Sequence, residues 1–343
     1  MQIKNFEKQR IIPPKLKSGD RIRVLALSRT IGGIIAYEGI TEADIAFARQ
    51  RLESMGFIVE FGEHIMECNA HLTTSVESRI EDLHCAIIEP SVKMILAATG
   101  GVGAIQLLEH IDYELIKSHP KIICGYSDIT HIANAVFANT GVVGYYGPNF
   151  SSFMMRKGFE YTMEYFQKCL CSEESFSANP AETWSDDAWV KEQDNRTFLH
   201  TDGFWPVNYG NAEGVIVGGA ALAFNHLQGS KFFPSLKGAI LFLESPSDGK
   251  ASLMALDSCI RAICFQEDFK GVRGIVIGRY PRNSRIDRNN LTELVHQISE
   301  ISEIPIAANV DFGHTTPVMT VPIGGKCILQ VRQKDASIEI VEH

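Results

Sequence analysis

Lys121–Thr130, KIICGYSDIT, joins two periodicities in ten residues. Ile122, Ile123 and Cys124 form a short apolar run of the kind that fills a buried strand. The continuation ITHIANAVFANTG then sets Ile129, Ile132, Ala133, Val136 and Phe137 at helical spacing. Ser127 falls on the turn between strand and helix. Such a turn lifts a hydroxyl out of the sheet and aims the unpaired N–H groups of the new helix at charge developing beside it. The G-x-S-x-G elbow pattern is incomplete, because Ile129 holds its last position. An N-capping serine and a nucleophile are both consistent with the stretch alone.

Outward from this turn the same alternation continues. Arg21–Ser28 reads as a strand, Thr41–Met55 as a helix opened by Thr-x-x-Asp, and Phe57–Gly62 as a strand. A helix over Ser75–Ile88, a buried strand over Val92–Ala98 and a helix over Gly103–Ile111 follow, the last behind the glycine-rich Thr99–Gly103. Near-continuous apolar strands separated by helices predict a largely parallel sheet covered on both faces, with ligands beyond the carboxyl ends of its strands. After a helix over Glu160–Leu170 the chain turns polar and aromatic, and Trp184, Trp189 and Trp205 all fall between Glu173 and Asn211. A second α/β set begins near Ala212. The expected division is an N-terminal domain at 1–172, a tryptophan-bearing connecting loop at 173–211 and a C-terminal domain at 212–343.

A chain of 343 residues with 45% hydrophobic and 21% charged residues can bury two cores, and its net charge of −9 disfavours nucleic acid or an anionic membrane as partner. The eight cysteines include no C-x-x-C pair and several sit in apolar runs, which suits reduced thiols in the cytoplasm. The N-terminal MQIKNFEKQRIIPPKLKSGD has no apolar leader core, and no run approaches a membrane span. Neither G-x-G-x-x-G nor G-x-x-x-x-G-K-[ST] is present, and the histidines form no ligand cluster, so neither a nucleotide cofactor nor a metal is expected.

Glu244, ending GAILFLE, and His314, in DFGHTTP, are loop-borne groups whose chemistry complements a serine. An imidazole takes and returns the hydroxyl proton, and a carboxylate orients the imidazole. Each also has a plain reading, as a solvated strand end or a backbone-bonded loop residue. His131, one helical turn beyond Ser127, is a competing base. Backbone N–H groups of Gly101 and Asp128 are the expected oxyanion donors, since glycine admits close approach.

The blocks TGGVGAIQLLEHIDYELIKSHPKIICGYSDITHIANAVFANTGVVGYYGPN, GGAALAFNHLQGS with GAILFLES, and DFGHTTPVMTVPIGG together resemble the LD-carboxypeptidase family of serine peptidases, which includes the microcin C immunity proteins. The resemblance implies a Rossmann- or flavodoxin-like N-terminal domain with a mostly parallel sheet, a smaller C-terminal α/β domain and a homodimer. It also implies a Ser-Glu-His triad at Ser127, Glu244 and His314, with oxyanion donors at Gly101 and Asp128. The immunity branch hydrolyses an amide between an aminoacyl or peptidyl group and a nucleotide. Its tryptophan-bearing loop resembles ETWSDDAWVKEQDNR, with Trp184 favoured over Trp189 for stacking on the base and Gly100 as a further substrate contact. Thr99 stands where many murein-cleaving relatives carry Arg, which weakens the alternative of a murein tetrapeptide carboxypeptidase. A small-ligand binding module on the same fold is the non-enzymatic alternative.

Overall fold

The computed structural model describes residues 10–245 and 252–343. The first nine residues, part of the stretch read as lacking a leader core, lie outside the described residues, as does Pro246 beyond Glu244. The N-terminal half alternates β1 (Arg21–Leu25), α1 (Ile31–Glu38), α2 (Glu42–Ser54), β2 (Ile58–Phe61), α3 (Val76–Ile88), β3 (Val92–Ala97), α4 (Tyr113–Ser118), β4 (Ile122–Gly125), α5 (Thr130–Thr140) and β5 (Gly144–Tyr146). These five strands are parallel in the order β2-β1-β3-β4-β5. Strand order reverses beside β1, and the crevice at such a reversal, beyond the carboxyl ends, is where open α/β sheets take ligands.

The chain continues through α6 (Glu160–Cys171), β6 (Phe176–Ala178), β7 (Thr183–Trp184), β8 (Leu199–His200), β9 (Trp205–Asn208), β10 (Gly210–Ala220), α7 (Ala221–His226), β11 (Ala239–Glu244), α8 (Ser252–Cys264), β12 (Gly274–Gly278), α9 (Arg288–His296), β13 (Ile306–Val310), β14 (Val321–Ile323), β15 (Lys326–Val331) and β16 (Ala336–Glu342). The second sheet runs β6-β16-β15-β10-β11-β12-β13-β9. Its centre, β10 to β13, is parallel. Its flanks are antiparallel.

Two features cross the divisions expected from sequence. β14, from the C-terminal portion, leaves the second sheet and pairs antiparallel with β5 at the edge of the first. The stretch 173–211 is also more than a connection, because β6 and β9 within it are edge strands of the second sheet and β7 pairs with β8 as a small ribbon. Short paired edges of this kind leave little apolar periodicity to read.

Local chemistry explains the elements that position the site. Thr41 and Asp44 form the reciprocal capping box that starts α2. The helix expected over Gly103–Ile111 is only a 3₁₀ turn at Ala104–Leu107, and Asp112 then caps α4, its carboxylate accepting from Leu115 N at 2.9 Å. α5 is buried on nearly every face, lying between the two sheets. Its polar residues are paired accordingly: Asn134 donates to Gly218 O at 2.7 Å and accepts from Gly218 N at 3.1 Å, and Thr130 Oγ1 accepts from Ala220 N at 2.9 Å. The helix that begins at the Ser127 turn is thereby fixed to β10 of the other sheet. Among the described residues, no helix is long and apolar enough to cross a membrane.

Candidate active site

Ser127 follows β4 with φ of 62°, in the left-handed region that a residue with a Cβ adopts at a cost in energy. The cost is met by its surroundings. Ser127 N donates to the Tyr146 hydroxyl at 3.1 Å, and that hydroxyl donates to Glu244 Oε1 at 2.5 Å. His314 reaches the same point from the loop after β13. Its Nε2 lies 3.0 Å from Ser127 Oγ, and its Nδ1 lies 2.8 Å from Glu244 Oε2. A carboxylate can only accept, so Nδ1 carries the proton and Nε2 is left to accept from the serine hydroxyl.

Glu244 is fully buried at the end of β11, and its carboxylate faces Tyr146 on one oxygen and His314 on the other. The Tyr146 hydroxyl is pushed up by burial and by the Glu244 charge beside it, so it remains a donor at neutral pH. Gly313 explains the DFGH sequence: its φ is 116°, and a Cβ there would stand 2.7 Å from Glu244 Oε2.

Asp128, adjacent to the serine, is buried and heavily bonded. Its Oδ2 accepts from Ser28 Oγ at 2.6 Å and from Ala104 N at 2.8 Å, and its Oδ1 lies 3.0 Å from His131 Nδ1. Burial alone would raise this carboxyl, but the bonds from His131, Ser28 and Ala104 outweigh it and hold the group below its ordinary value. His131 therefore belongs to Asp128. Its ring stacks on His226 at 5.7 Å, whereas His314 takes the place at Ser127.

Tyr126, Ser152, Met155, Phe159, Trp189 and His314 line a narrow pocket beside these groups. Trp184 is elsewhere. The Arg279 guanidinium covers its ring at 5.1 Å, and Arg279 is itself buried against Asp311 and Asn309, each at 2.8 Å. The tryptophan segment is latched just ahead of Trp189: Asp186 accepts from Arg282 at 2.6 Å, and Asp187 accepts from Arg196 at 2.9 Å. Ser185 and Thr316 exchange backbone bonds of 2.8 Å, tying the segment to the loop that carries His314. Sequence reasoning missed Tyr146, which lies in GVVGYYGPN without a spacing that relates it to Glu244. Among the described residues, no group of three or more His, Cys, Asp or Glu side chains is placed to hold a metal ion.

A doubly wound sheet presenting a strained serine to a histidine, with a buried carboxylate behind it, defines the class of serine-type hydrolases. Comparison with known proteins narrows the class. The family model for the LD-carboxypeptidase N-terminal domain matches residues 22–147, and that for the LD-carboxypeptidase C-terminal domain matches residues 213–329. The chain belongs to the LD-carboxypeptidase family. The putative carboxypeptidase YocD of Bacillus subtilis is 40% identical over 329 residues, covering 96% of this chain and 99% of that one. An MccF-like protein from Bacillus anthracis has a crystal structure with a TM-score of 0.93 and 41% identity, over 97% of this chain and 100% of that one. The microcin C7 self-immunity protein MccF of Escherichia coli is 25% identical over 332 residues, covering 92% of this chain and 95% of that protein. A structure of MccF with glutamyl sulfamoyl guanosine has a TM-score of 0.83 at 24% identity, over 96% of this chain and 98% of that one.

Proposed function

We propose that Ser127, His314 and Glu244 form a catalytic triad that hydrolyses the amide joining an aminoacyl or peptidyl group to a nucleotide. The continuous chain Ser127–His314–Glu244, with contacts of 3.0 and 2.8 Å, carries the catalytic part of the reading. Ser127 Oγ attacks the carbonyl carbon as its proton passes to His314 Nε2. The tetrahedral oxyanion is held by the N–H groups of Gly101 and Asp128. His314 returns the proton to the leaving nitrogen, and water repeats the sequence on the acyl-enzyme. Glu244 keeps the imidazole in the accepting tautomer and stabilises the imidazolium.

Trp189 supports the nucleotide part, because it lines the pocket that His314 faces and offers a flat ring for a base. Trp184, favoured from sequence, has a face occupied by Arg279, so Trp189 replaces it as the proposed contact. A second reading, release of a terminal D-alanine from a muropeptide by the same triad, is favoured by the carboxypeptidase name of the 40% identical relative. The expected homodimer stays part of the proposal, supported by Met254 and Phe265, exposed near the two ends of α8, and sedimentation reads it directly.

Mass-spectrometric cleavage assays of wild type and Ser127→Ala decide between these readings. The substrates are an aminoacyl-sulfamoyl adenosine and an L,D-linked tetrapeptide muropeptide. Serine-dependent release of the amino acid from adenosine alone supports the first reading, and serine-dependent loss of D-alanine alone supports the second. Binding without cleavage in both proteins would return the chain to a ligand-binding role.

A further inference from the structure

The N–H of Gly101 can serve an oxyanion only if its peptide faces the nucleophile. A peptide between two glycines rotates with little steric resistance, so its direction must be imposed from outside. Arg29, just beyond the end of β1, is placed to impose it. Its Nε donates to Gly100 O at 3.0 Å, and its guanidinium is anchored by an ion pair with Glu38 at the end of α1. Because a trans peptide is planar, the Gly100 carbonyl and the Gly101 N–H point in opposite directions. Drawing the oxygen towards Arg29 turns the N–H away from it.

The nucleophile packs against Gly100, and Arg29 against Gly101. A Cβ built on Gly100 would stand 3.0 Å from Ser127 Cβ and 3.3 Å from its Oγ, whereas one built on Gly101 would stand 2.6 Å from Arg29 Cγ. The peptide is thus clasped between serine and guanidinium. Gly101 has φ of 147°, a conformation closed to side-chain-bearing residues, so no other residue type reproduces the clasp. The far end of the loop is held from the same strand end, since Ser28 Oγ donates to the Asp128 oxygen that also accepts the Ala104 N–H.

We propose that Arg29 is a positioning residue for the oxyanion site, holding the Gly100–Gly101 peptide with the Gly101 N–H towards Ser127. Its positive charge at the carbonyl oxygen also polarises the peptide, which strengthens the N–H as a donor when negative charge develops. The inference rests on Ser127 being the nucleophile proposed above.

The experiment measures the second-order rate of Ser127 labelling by a fluorophosphonate, and kcat on whichever substrate is cleaved, for wild type, Arg29→Gln, Arg29→Lys and Glu38→Gln. Loss of one oxyanion donor costs about a hundredfold to a thousandfold in rate, so a donor that is present but unheld is expected to cost Arg29→Gln roughly tenfold to a hundredfold. Arg29→Lys, which keeps one charged donor in reach, recovers part of the loss and serves in its place if Arg29→Gln does not fold. Glu38→Gln, which removes the charge that anchors the guanidinium but keeps a hydrogen-bond acceptor, loses less than Arg29→Gln. Substrate affinity, measured in a Ser127→Ala background, is unchanged by Arg29→Gln. Wild-type labelling with an undiminished Arg29→Gln rate overturns this inference alone. An equal loss in affinity and in kcat/KM overturns it too, making Arg29 a direct substrate contact. Absence of labelling at Ser127 in wild type overturns the nucleophile and the inference together.

Discussion

At the scale of single residues, the Glu244 carboxylate is fully buried and bonded on both oxygens. With no solvent to stabilise it, its charge depends on His314 and Tyr146. A hydrogen bond to a charged group contributes about 1.5–3 kcal/mol, so Tyr146→Phe should lower kcat by roughly tenfold to a hundredfold. KM should move little, because the hydroxyl faces Glu244 and the Ser127 N–H. Steady-state kinetics beside a melting curve check this, and an unchanged kcat would remove Tyr146 from the machinery. Asp128 makes a pH-dependent prediction. Its carboxyl is held below the ordinary 3.8 once the bonds from His131, Ser28 and Ala104 overcome burial, so folding favours the ionised form. The resulting stability is fully present above the unfolded value and is lost as pH falls through the lower folded value. Asp128→Asn should therefore be destabilised by about 1–3 kcal/mol at neutral pH. The gap to wild type should narrow below pH 3.8, and urea unfolding across that range measures it.

At the scale of elements, the tryptophan segment between β7 and β8 acts as a braced wall rather than a slack connection. Arg196, fully buried in its side chain, bonds Asp187, Lys157 O at 2.7 Å and Thr316 Oγ1 at 3.2 Å. Trp189 is held beside His314 by that brace. Stacking on a base is worth about 1–3 kcal/mol, so Trp189→Ala should raise KM for an aminoacyl-adenosine substrate by roughly fivefold to a hundredfold with kcat largely kept. Trp184→Ala should instead lower thermal stability, through the lost packing on Arg279. The opposite pattern would restore the assignment favoured from sequence. What the sequence disclosed at this scale follows from its physics. β3 and β4 are legible because buried parallel strands are nearly continuously apolar, β1 because its arginines alternate with buried Ile22 and Val24, and α2 because its capping box is local. α1 is not legible, since Gly32 and Gly33 lower its propensity, and burial of Ile31 and Ile34 with the Thr30 cap sustains it. The serine turn was local and readable, whereas Tyr146 and Arg29 act through contacts 98 and 71 residues away in sequence.

At the scale of the whole molecule, the site exists only where the two sheets meet. Ser127 comes from the first sheet, Glu244 and His314 from the second, and small shifts between the sheets would part hydrogen bonds of about 3 Å. Two features oppose such shifts. β14 returns from the C-terminal portion to pair Val321, Pro322 and Ile323 with Tyr146, Tyr145 and Gly144, and α5 is bonded through Asn134 and Thr130 to β10. β5, whose Tyr146 braces Glu244, is therefore itself paired with chain from the other half. The two units should unfold together despite their separate sheets, giving one calorimetric transition whose van't Hoff and calorimetric enthalpies agree. Asn134→Ala tests the coupling, because it leaves the buried Gly218 N–H and C=O without their side-chain partners, at a cost of about 1–3 kcal/mol for each unsatisfied group. That cost should shift the single transition downwards as a unit. Activity should be lost in step with that transition, since the serine and its partners separate only when the two sheets unfold together. Two resolved transitions in wild type, with Asn134→Ala moving only one, would show that the sheets fold independently and that the site is assembled by docking alone.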